Sequence, residues 1–215
     1  MLIIGAKGFA KEILEIFKQN NQLDNLAFYD DVNHDIGDFL YKQFPILKNE
    51  KQAKSHFSIN NEFTIGIGNP VLRKKLYDKF IALGGKFVSA ISLQATIGSF
   101  DVEIGVGSNV LSNATFSNST KIGIGTIVYY NTTITHDCVV EDFVELSPNV
   151  ILLGNVTVGS YTQIGAGAVI LPKLKIGKNV IIGAGTIVIQ DIPDNAVVIG
   201  TPGKIIKYSE PLDFL

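Results

Sequence analysis

From Ile104 to Val188 every sixth residue is apolar: Ile104, Val110, Phe116, Ile122, Val128, Ile134, Val140, Leu146, Leu152, Val158, Ile164, Ile170, Ile176, Ile182 and Val188. In a chain that is 46% hydrophobic, fifteen in-frame positions arise by chance on the order of once in 10^5, so the pattern is an internal repeat. A second register runs four residues later, through Ser108, Ala114, Thr120, Thr126, Thr132, Cys138, Val144, Val150, Val156, Thr162, Ala168, Leu174, Val180 and Thr186. Thirteen of these fourteen are small or β-branched, and Leu174 is the exception. The two registers predict short strands stacked coil on coil about 4.8 Å apart, each with one large side chain inside and a small one at the corner. Each interior aliphatic contributes roughly 1.5–3 kcal/mol of burial. Gly105, Gly123, Gly159, Gly165, Gly177 and Gly183 directly follow in-frame residues, where a sharp turn is expected to demand residues without Cβ.

The first 90 residues have a different rhythm. Leu2 to Gly5 reads as a buried strand, and Gly8 to Asn20 as a helix with Phe9, Ile13, Ile16 and Phe17 at helical spacing. Leu26 to Asp30 and Phe63 to Ile67 read as further strands. Asn69-Pro70 opens a helix over Val71 to Leu83, with Asn69 as its cap and Pro70 in first position. Gly84-Gly85 ends that helix, and Lys86 to Ile91 is the last strand. Strands alternating with helices predict a small parallel α/β sheet.

Length and charge narrow the class. At 215 residues with net charge −2, the chain can bury a sizeable core and has no electrostatic reason to seek nucleic acid or an anionic membrane. No basic n-region precedes Leu2-Ile3-Ile4-Gly5, and no apolar run approaches the roughly 20 residues needed to span a bilayer. A cytoplasmic location is the expectation. The single cysteine, Cys138, cannot form an internal disulfide, which agrees with a reducing compartment.

Within the repeat one histidine stands out. His136 and Asp137 occupy the third and fourth places of the hexad that starts at Ile134, outside both inward registers. They read either as a solvent-facing corner pair or as a general base with a carboxylate that fixes its tautomer. Adjacent residues of an extended strand point apart, so Asp137 must bend back to orient His136, or another group must do so. Cys138 falls on the inward register and reads as a packing residue. A three-histidine zinc site is disfavoured, because His34 and His56 belong to the other domain. In the amino-terminal domain, Gly5-Ala6-Lys7-Gly8-Phe9-Ala10 forms the first strand-to-helix turn, where backbone amides could hold a phosphate, and Asp30-Asp31 ends the next strand, where ribose or base is commonly contacted. The full Gly-x-Gly-x-x-Gly is absent, so a turn shaped only for packing is the competing reading.

The paired registers resemble the hexapeptide repeat of left-handed parallel β-helices, in which three hexads make one triangular coil. On that resemblance residues 104–188 hold between four and five coils, and Ile91 and Ile97 mark an earlier coil with one extra residue before Ile104. The whole chain from Leu2 to Lys204 resembles the bacterial sugar acyltransferases that comprise the sialic acid O-acetyltransferase-like proteins and the nucleotide-4-amino-sugar N-acetyltransferases of surface-glycan pathways. The resemblance rests on Ile-Ile-Gly-Ala-Lys-Gly-Phe-Ala-Lys-Glu at 3–12, Phe-Tyr-Asp-Asp at 28–31, Ile-Gly-Ile-Gly-Asn at 65–69 with Arg73, Thr-His-Asp-Cys-Val-Val-Glu-Asp-Phe-Val at 135–144, Ser-Pro-Asn-Val at 147–150, Gly-Asn-Val-Thr-Val-Gly at 154–159 and Gly-Thr-Pro-Gly-Lys at 200–204.

The resemblance implies a small Rossmann-like α/β domain (1–90) that binds a sugar nucleotide, a left-handed β-helix (91–200) and a tail (201–215), assembled as a homotrimer. It implies acetyl-CoA as co-substrate and no metal. His136 would be the base with Asp137 as its partner, Gly154 would offer its amide to the thioester carbonyl, and Ala166 and Ala184 would flank the pantetheine arm. Candidate substrate-binding residues are Gly5, Lys7, Gly8, Phe9, Asp30, Asp31, Gly68, Asn69 and Glu145. Family members often carry histidine where this chain has Phe9 and Glu145, so those two positions depart from the pattern. The expected activity is N-acetylation of a nucleotide-linked amino-deoxysugar; O-acetylation of a sialic acid-like sugar and a non-catalytic nucleotide-sugar scaffold are the alternatives. The open sheet edges of the coil would be covered by the α/β domain at one end and by the tail from Lys204 at the other.

Overall fold

The computed structural model describes residues 1–33 and 35–213; His34 and the last two residues of the expected tail lie outside the described residues. The chain divides into two compact units, Met1–Leu93 and Gln94–Leu215.

In the first unit, β1 (Leu2–Ile4), α1 (Gly8–Gln19) and β2 (Ala27–Tyr29) follow the sequence pattern. A hairpin of β3 (Phe39–Leu40) and β4 (Phe44–Leu47), then α2 (Glu50–Phe57), come next. The pattern did not announce them. The strands are short, and α2 buries only Ala53, so it carries no apolar stripe. β5 (Glu62–Ile65), α3 (Pro70–Ala82) and β6 (Lys86–Phe87) complete the sheet, in the order β3-β4-β2-β1-β5-β6. The strand expected over Lys86 to Ile91 is two pieces, β6 and Ala90–Ile91. All neighbours are parallel except the β3–β4 pair. The chain winds one way from β1 to β2 and the other way from β5 to β6, so the topological switch lies between β1 and β5, where α/β sheets bind ligands. Phe57, Phe63, Phe80 and Phe87 cluster beneath α2 and α3, with Tyr29 edge-on to Phe80 at 4.9 Å.

The second unit is a coil of two-residue strands on three faces. The first face carries Asn109–Val110, Ile127–Val128, Glu145–Leu146, Gln163–Ile164 and Ile181–Ile182; the second runs from Thr96–Ile97 through Thr133–Ile134 and Ile151–Leu152 to Ile187–Val188; the third runs from Glu103–Ile104 through Val139–Val140 to Lys175–Ile176. Strands pair in parallel with the residue eighteen places on, as Ile134 does with Leu152, so three hexads make one turn. Thr96 pairs instead with Thr115, nineteen places on, which accounts for the extra residue before Ile104. At the far end the offset shortens to sixteen, Ile181 with Val197, and Lys204–Tyr208 then pairs antiparallel with Ala196–Ile199. The tail therefore closes the edge of one face as an added strand.

Burial follows the two registers. Fourteen of the fifteen in-frame apolar residues are at most 3% exposed, and Ile104 in the first coil is the half-exposed one. Thirteen residues of the second register are fully buried, and Leu174, too large for the corner, is pushed half into solvent.

The glycine expectation needs correction. Gly105, Gly159 and Gly165 do not sit at a left-handed turn; a Cβ on each would lie 2.6–2.7 Å from backbone atoms of the next coil, at Gly123, Gly177 and Ala184 respectively. Their role is close stacking. The left-handed residues form a third sixfold register, from Asp101 and Gly107 to Asn179 and Gly185, with φ between +52° and +71°. Eleven of its fifteen members are Gly, Asn or Asp, the residues that tolerate this region best.

Candidate active site

Asp137 belongs to that third register, with φ +59°. A left-handed residue reverses the local chain direction, so the side chains of His136 and Asp137 converge where an extended strand would have splayed them. His136 Nδ1 lies 2.7 Å from Asp137 Oδ2, and both side chains are more than half exposed. An ionised carboxylate only accepts, so Nδ1 carries the proton and donates it, which leaves the Nε2 lone pair free. Of the two alternatives the sequence left open, a bent-back Asp137 is the geometry observed.

Gly154 follows His136 by one full coil, at the same corner between the second and third faces. A Cβ there would fall 2.5 Å from His136 Cε1 and 2.6 Å from Nε2, so the imidazole rests on the glycine α-carbon. Only glycine leaves room for the ring. The Gly154 carbonyl accepts from Lys173 N at 2.9 Å, while its amide donates to no described residue. The equivalent amides of Ile124, Ser160 and Lys178 are taken by Asp142 Oδ1, Glu141 Oε2 and Asp194 Oδ1, whereas those of Asn118, His136 and Asp142, like that of Gly154, donate to no described residue. Pro172, next in the His136–Gly154 column, has no amide hydrogen. The His136 imidazole and an N–H without an acceptor among the described residues thus share one edge. Beneath them Cys138 is fully buried, its Sγ donates to Leu153 O at 3.3 Å, and burial pushes its thiol pKa up. It packs and is no nucleophile.

The other expected residues of the repeat lie elsewhere on the chain. Ala166 and Ala184 are exposed and stack one coil apart at the corner between the first and second faces, beside Gly167 and Gly185, where an added Cβ would meet nothing. Together they leave a ridge bare of large side chains. Glu145 lies on the first face and accepts from Gln163 Nε2 at 3.0 Å. Within one chain a whole face separates Ala166 and Ala184 from His136, and Glu145 is on the face opposite the His136 corner.

In the first unit a cavity of about 180 Å³ opens at the carboxyl ends of β1, β2 and β5, lined by Ile4, Gly5, Tyr29 to Asn33, Ile67, Leu72 and Leu76. Gly5 has φ +100°, and a Cβ would lie 2.9 Å from Ile67 Cδ1. Gly66, which sequence reasoning gave no role, is as tightly fixed: a Cβ would lie 2.6 Å from Ala10 of α1. Lys7 caps α1 without a side-chain bond and pairs with Asp35 at 3.1 Å; Gly8 begins the helix and Phe9 is buried in its first turn. Asp30 is 7% exposed and accepts from Val32 N, Asn33 N and the Asn33 amide, so it shapes the loop. Asn69 Oδ1 caps α3 through Leu72 N, and the Gly68 carbonyl takes the buried Arg73 guanidinium. Asp31 lines the cavity with its Oδ2 held by the Tyr29 hydroxyl and the Lys79 ammonium.

Among the described residues no group of three or more His, Cys, Asp or Glu could hold a metal ion, and no helix is long and apolar enough to cross a membrane. Residues 1–80 match the PglD N-terminal domain, and residues 137–172 and 155–190 match the bacterial transferase hexapeptide (six repeats). No curated protein sequence matches. Among solved structures, PerB from Caulobacter crescentus, in complex with CoA and GDP-perosamine, is 28% identical over 96% of each chain with a TM-score of 0.87. The acetyltransferase domain of PglB from Neisseria gonorrhoeae, in complex with acetyl coenzyme A, is 30% identical over 95% of this chain and 98% of its own, also at 0.87. WeeI from Acinetobacter baumannii is 30% identical over the same shares, at 0.84. With its amino-terminal α/β unit, its three-hexad coils and these full-length likenesses, the chain belongs to the bacterial sugar acyltransferases built on a left-handed hexapeptide β-helix.

Proposed function

We propose that this protein transfers the acetyl group of acetyl-CoA to the amine of a nucleotide-linked amino-deoxysugar. The reading rests above all on the His136 ring, which is oriented by Asp137 and stacked on Gly154 beside an unspent amide. His136 Nε2 takes a proton from the attacking amine, and Asp137 supports the imidazolium. The Gly154 N–H points its donor at the thioester oxygen, where negative charge grows as nitrogen adds to the carbonyl. Collapse forms the amide and releases CoA thiolate, which recovers a proton. The PerB complex with CoA and GDP-perosamine supports both substrate classes. The nucleotide half of the acceptor is assigned to the cavity that Gly5, Asp31 and Ile67 line.

The active unit is a homotrimer in this reading. The bare ridge at Ala166 and Ala184 and the His136 edge are a face apart on one chain, so one acetyl-CoA meets both when a second copy supplies its own ridge. The outward residues Ile151, Val169 and Ile187 of the second face provide apolar surface for that contact. The reaction is placed in the cytoplasm, where acetyl-CoA is available.

Thiol release from acetyl-CoA, measured against a panel of amino-sugar nucleotides and free sialic acid, tests the proposal. Release with an amino-sugar nucleotide, lowered on the order of 10^2-fold or more by His136→Ala, is expected; release with sialic acid alone would replace N-transfer by O-transfer. Nucleotide binding without any release would leave only a scaffold. Light scattering that returned the 23.3 kDa of a single chain would remove the trimer.

A further inference from the structure

Asp31 lines the first-unit cavity and is gripped from behind. Its Oδ2 accepts from the Tyr29 hydroxyl at 2.8 Å and from the Lys79 ammonium at 3.1 Å. Lys79 belongs to the last turn of α3. It also reaches the Tyr29 hydroxyl at 3.3 Å, lies 5.3 Å from the centre of the Tyr29 ring, and has Glu50 of α2 at 3.4 Å. Tyr29 of β2 and Lys79 of α3 thus converge on one carboxylate oxygen, and Glu50 of α2 flanks the ammonium. Among the described residues no other side chain bonds Asp31, and its own backbone amide is the one further group acting on the carboxylate, so Oδ1 keeps a lone pair for a ligand's donor.

The charges are fixed in the same sense. Burial works to raise the Asp31 pKa, but the bonds from Tyr29 and Lys79 outweigh it and hold the carboxyl below its ordinary value. Burial and Asp31 push Tyr29 up to about 12. Burial opposes the Lys79 charge, yet Asp31 and Tyr29 hold its pKa above the ordinary value. The other charged groups around Asp31 are Glu50 on α2 and Asp30, Asp38 and Lys48, which line an adjoining cavity with it. Stability alone is a poor reason for this arrangement, because ion pairs this exposed add little.

We propose that Lys79 is a positioning residue: with Tyr29 it turns Asp31 so that its free oxygen accepts a hydrogen bond from an N–H of the base or a hydroxyl of the ribose. The inference rests on the assignment of the nucleotide to the first unit. Lys79 itself touches no ligand and acts only through Asp31.

Calorimetric titration of the full chain with UDP and with GDP, at pH 8 and pH 5.5, tests this. Lys79→Met is expected to weaken binding by roughly fivefold or more at pH 8. The loss should grow at pH 5.5, since without the ammonium burial favours the protonated Asp31. Lys79→Arg should restore affinity, and CoA binding and the melting temperature should not move. Asp31→Asn should weaken binding too, and the double variant should be no weaker than Asp31→Asn alone. The 2′-deoxy and 3′-deoxy nucleotides separate the two donors: a loss of affinity with either that disappears in the Asp31→Asn background assigns the bond to the ribose, and an unchanged affinity with both assigns it to the base. Wild-type affinity in Lys79→Met at both pH values, or two losses that multiply in the double variant, overturns the inference while leaving the nucleotide site intact. If the unmodified protein binds neither nucleotide, the nucleotide assignment falls and this inference with it.

Discussion

The imidazole of His136 lies across the α-carbon of Gly154, its counterpart in the next coil, so closely that an added methyl group would sit 2.5 Å from Cε1. Gly154→Ala must therefore displace the ring. A misplacement of about 1 Å in a reacting group can cost roughly 10^2-fold in rate, and that is the expected fall in turnover. The ring is exposed at a corner of the coil, so the melting temperature should hardly change. Wild-type turnover in a folded Gly154→Ala would detach the glycine from the chemistry.

Asp137 does two separable things. Its carboxylate orients His136, and its backbone adopts φ +59°. Asparagine tolerates that backbone but presents an amide in place of the carboxylate, so Asp137→Asn should fold normally and lose on the order of 10^2- to 10^4-fold in turnover. Asp137→Ala should lose the same activity and also about 1–2 kcal/mol of stability, because alanine pays the left-handed penalty. Steady-state rates paired with urea melts separate the two effects. Equal stability of the two variants would show that the backbone conformation contributes nothing.

How far the sequence could be read depended on how many residues repeat the same message. The interior registers were plain, since one substitution such as Leu174 cannot hide thirteen agreeing neighbours. The left-handed register was missed because Gly, Asn and Asp look unlike one another in a hydropathy pattern, and Ser119, Phe143, Tyr161 and Lys173 share it. That omission hid why Asp137 reaches His136, and it led the glycines after the in-frame residues to be read as turn formers. An Asn-or-Gly count taken at every sixth position would have found it. In the first unit, Asp31 was visible as an acid at a strand end. Its contact with Lys79 was not, because contacts between residues 48 positions apart leave no local pattern.

The two classes of repeat glycine make an opposed pair of predictions. At Gly159 a Cβ would meet the backbone carbon of Gly177 at 2.7 Å, and backbone in a stacked coil has nowhere to go. At Gly167 a Cβ would meet nothing, but φ is +69°. Gly167→Ala should cost about 1–2 kcal/mol. Gly159→Ala should cost more, in excess of about 2 kcal/mol, because two coils must part. Chemical denaturation with the order reversed would refute this division of labour.

His56 gives the first unit an acid sensitivity. It lies near the end of α2 with Nε2 donating to the Met1 carbonyl at 3.2 Å, and burial holds its pKa below the ordinary 6.5. The unfolded chain therefore binds the proton more readily than the folded one. Where the unfolded state holds more protons, stability rises with pH. The contribution of His56 is thus fully present above its unfolded pKa of 6.5 and declines as pH falls through that value towards the folded pKa. His56→Gln keeps a donor near Met1 but removes the titration. Melting temperatures between pH 7.5 and pH 5 should fall less steeply in His56→Gln than in the unmodified protein. Two parallel curves would mean that the imidazole titrates alike in both states, and that its burial does not bear on stability.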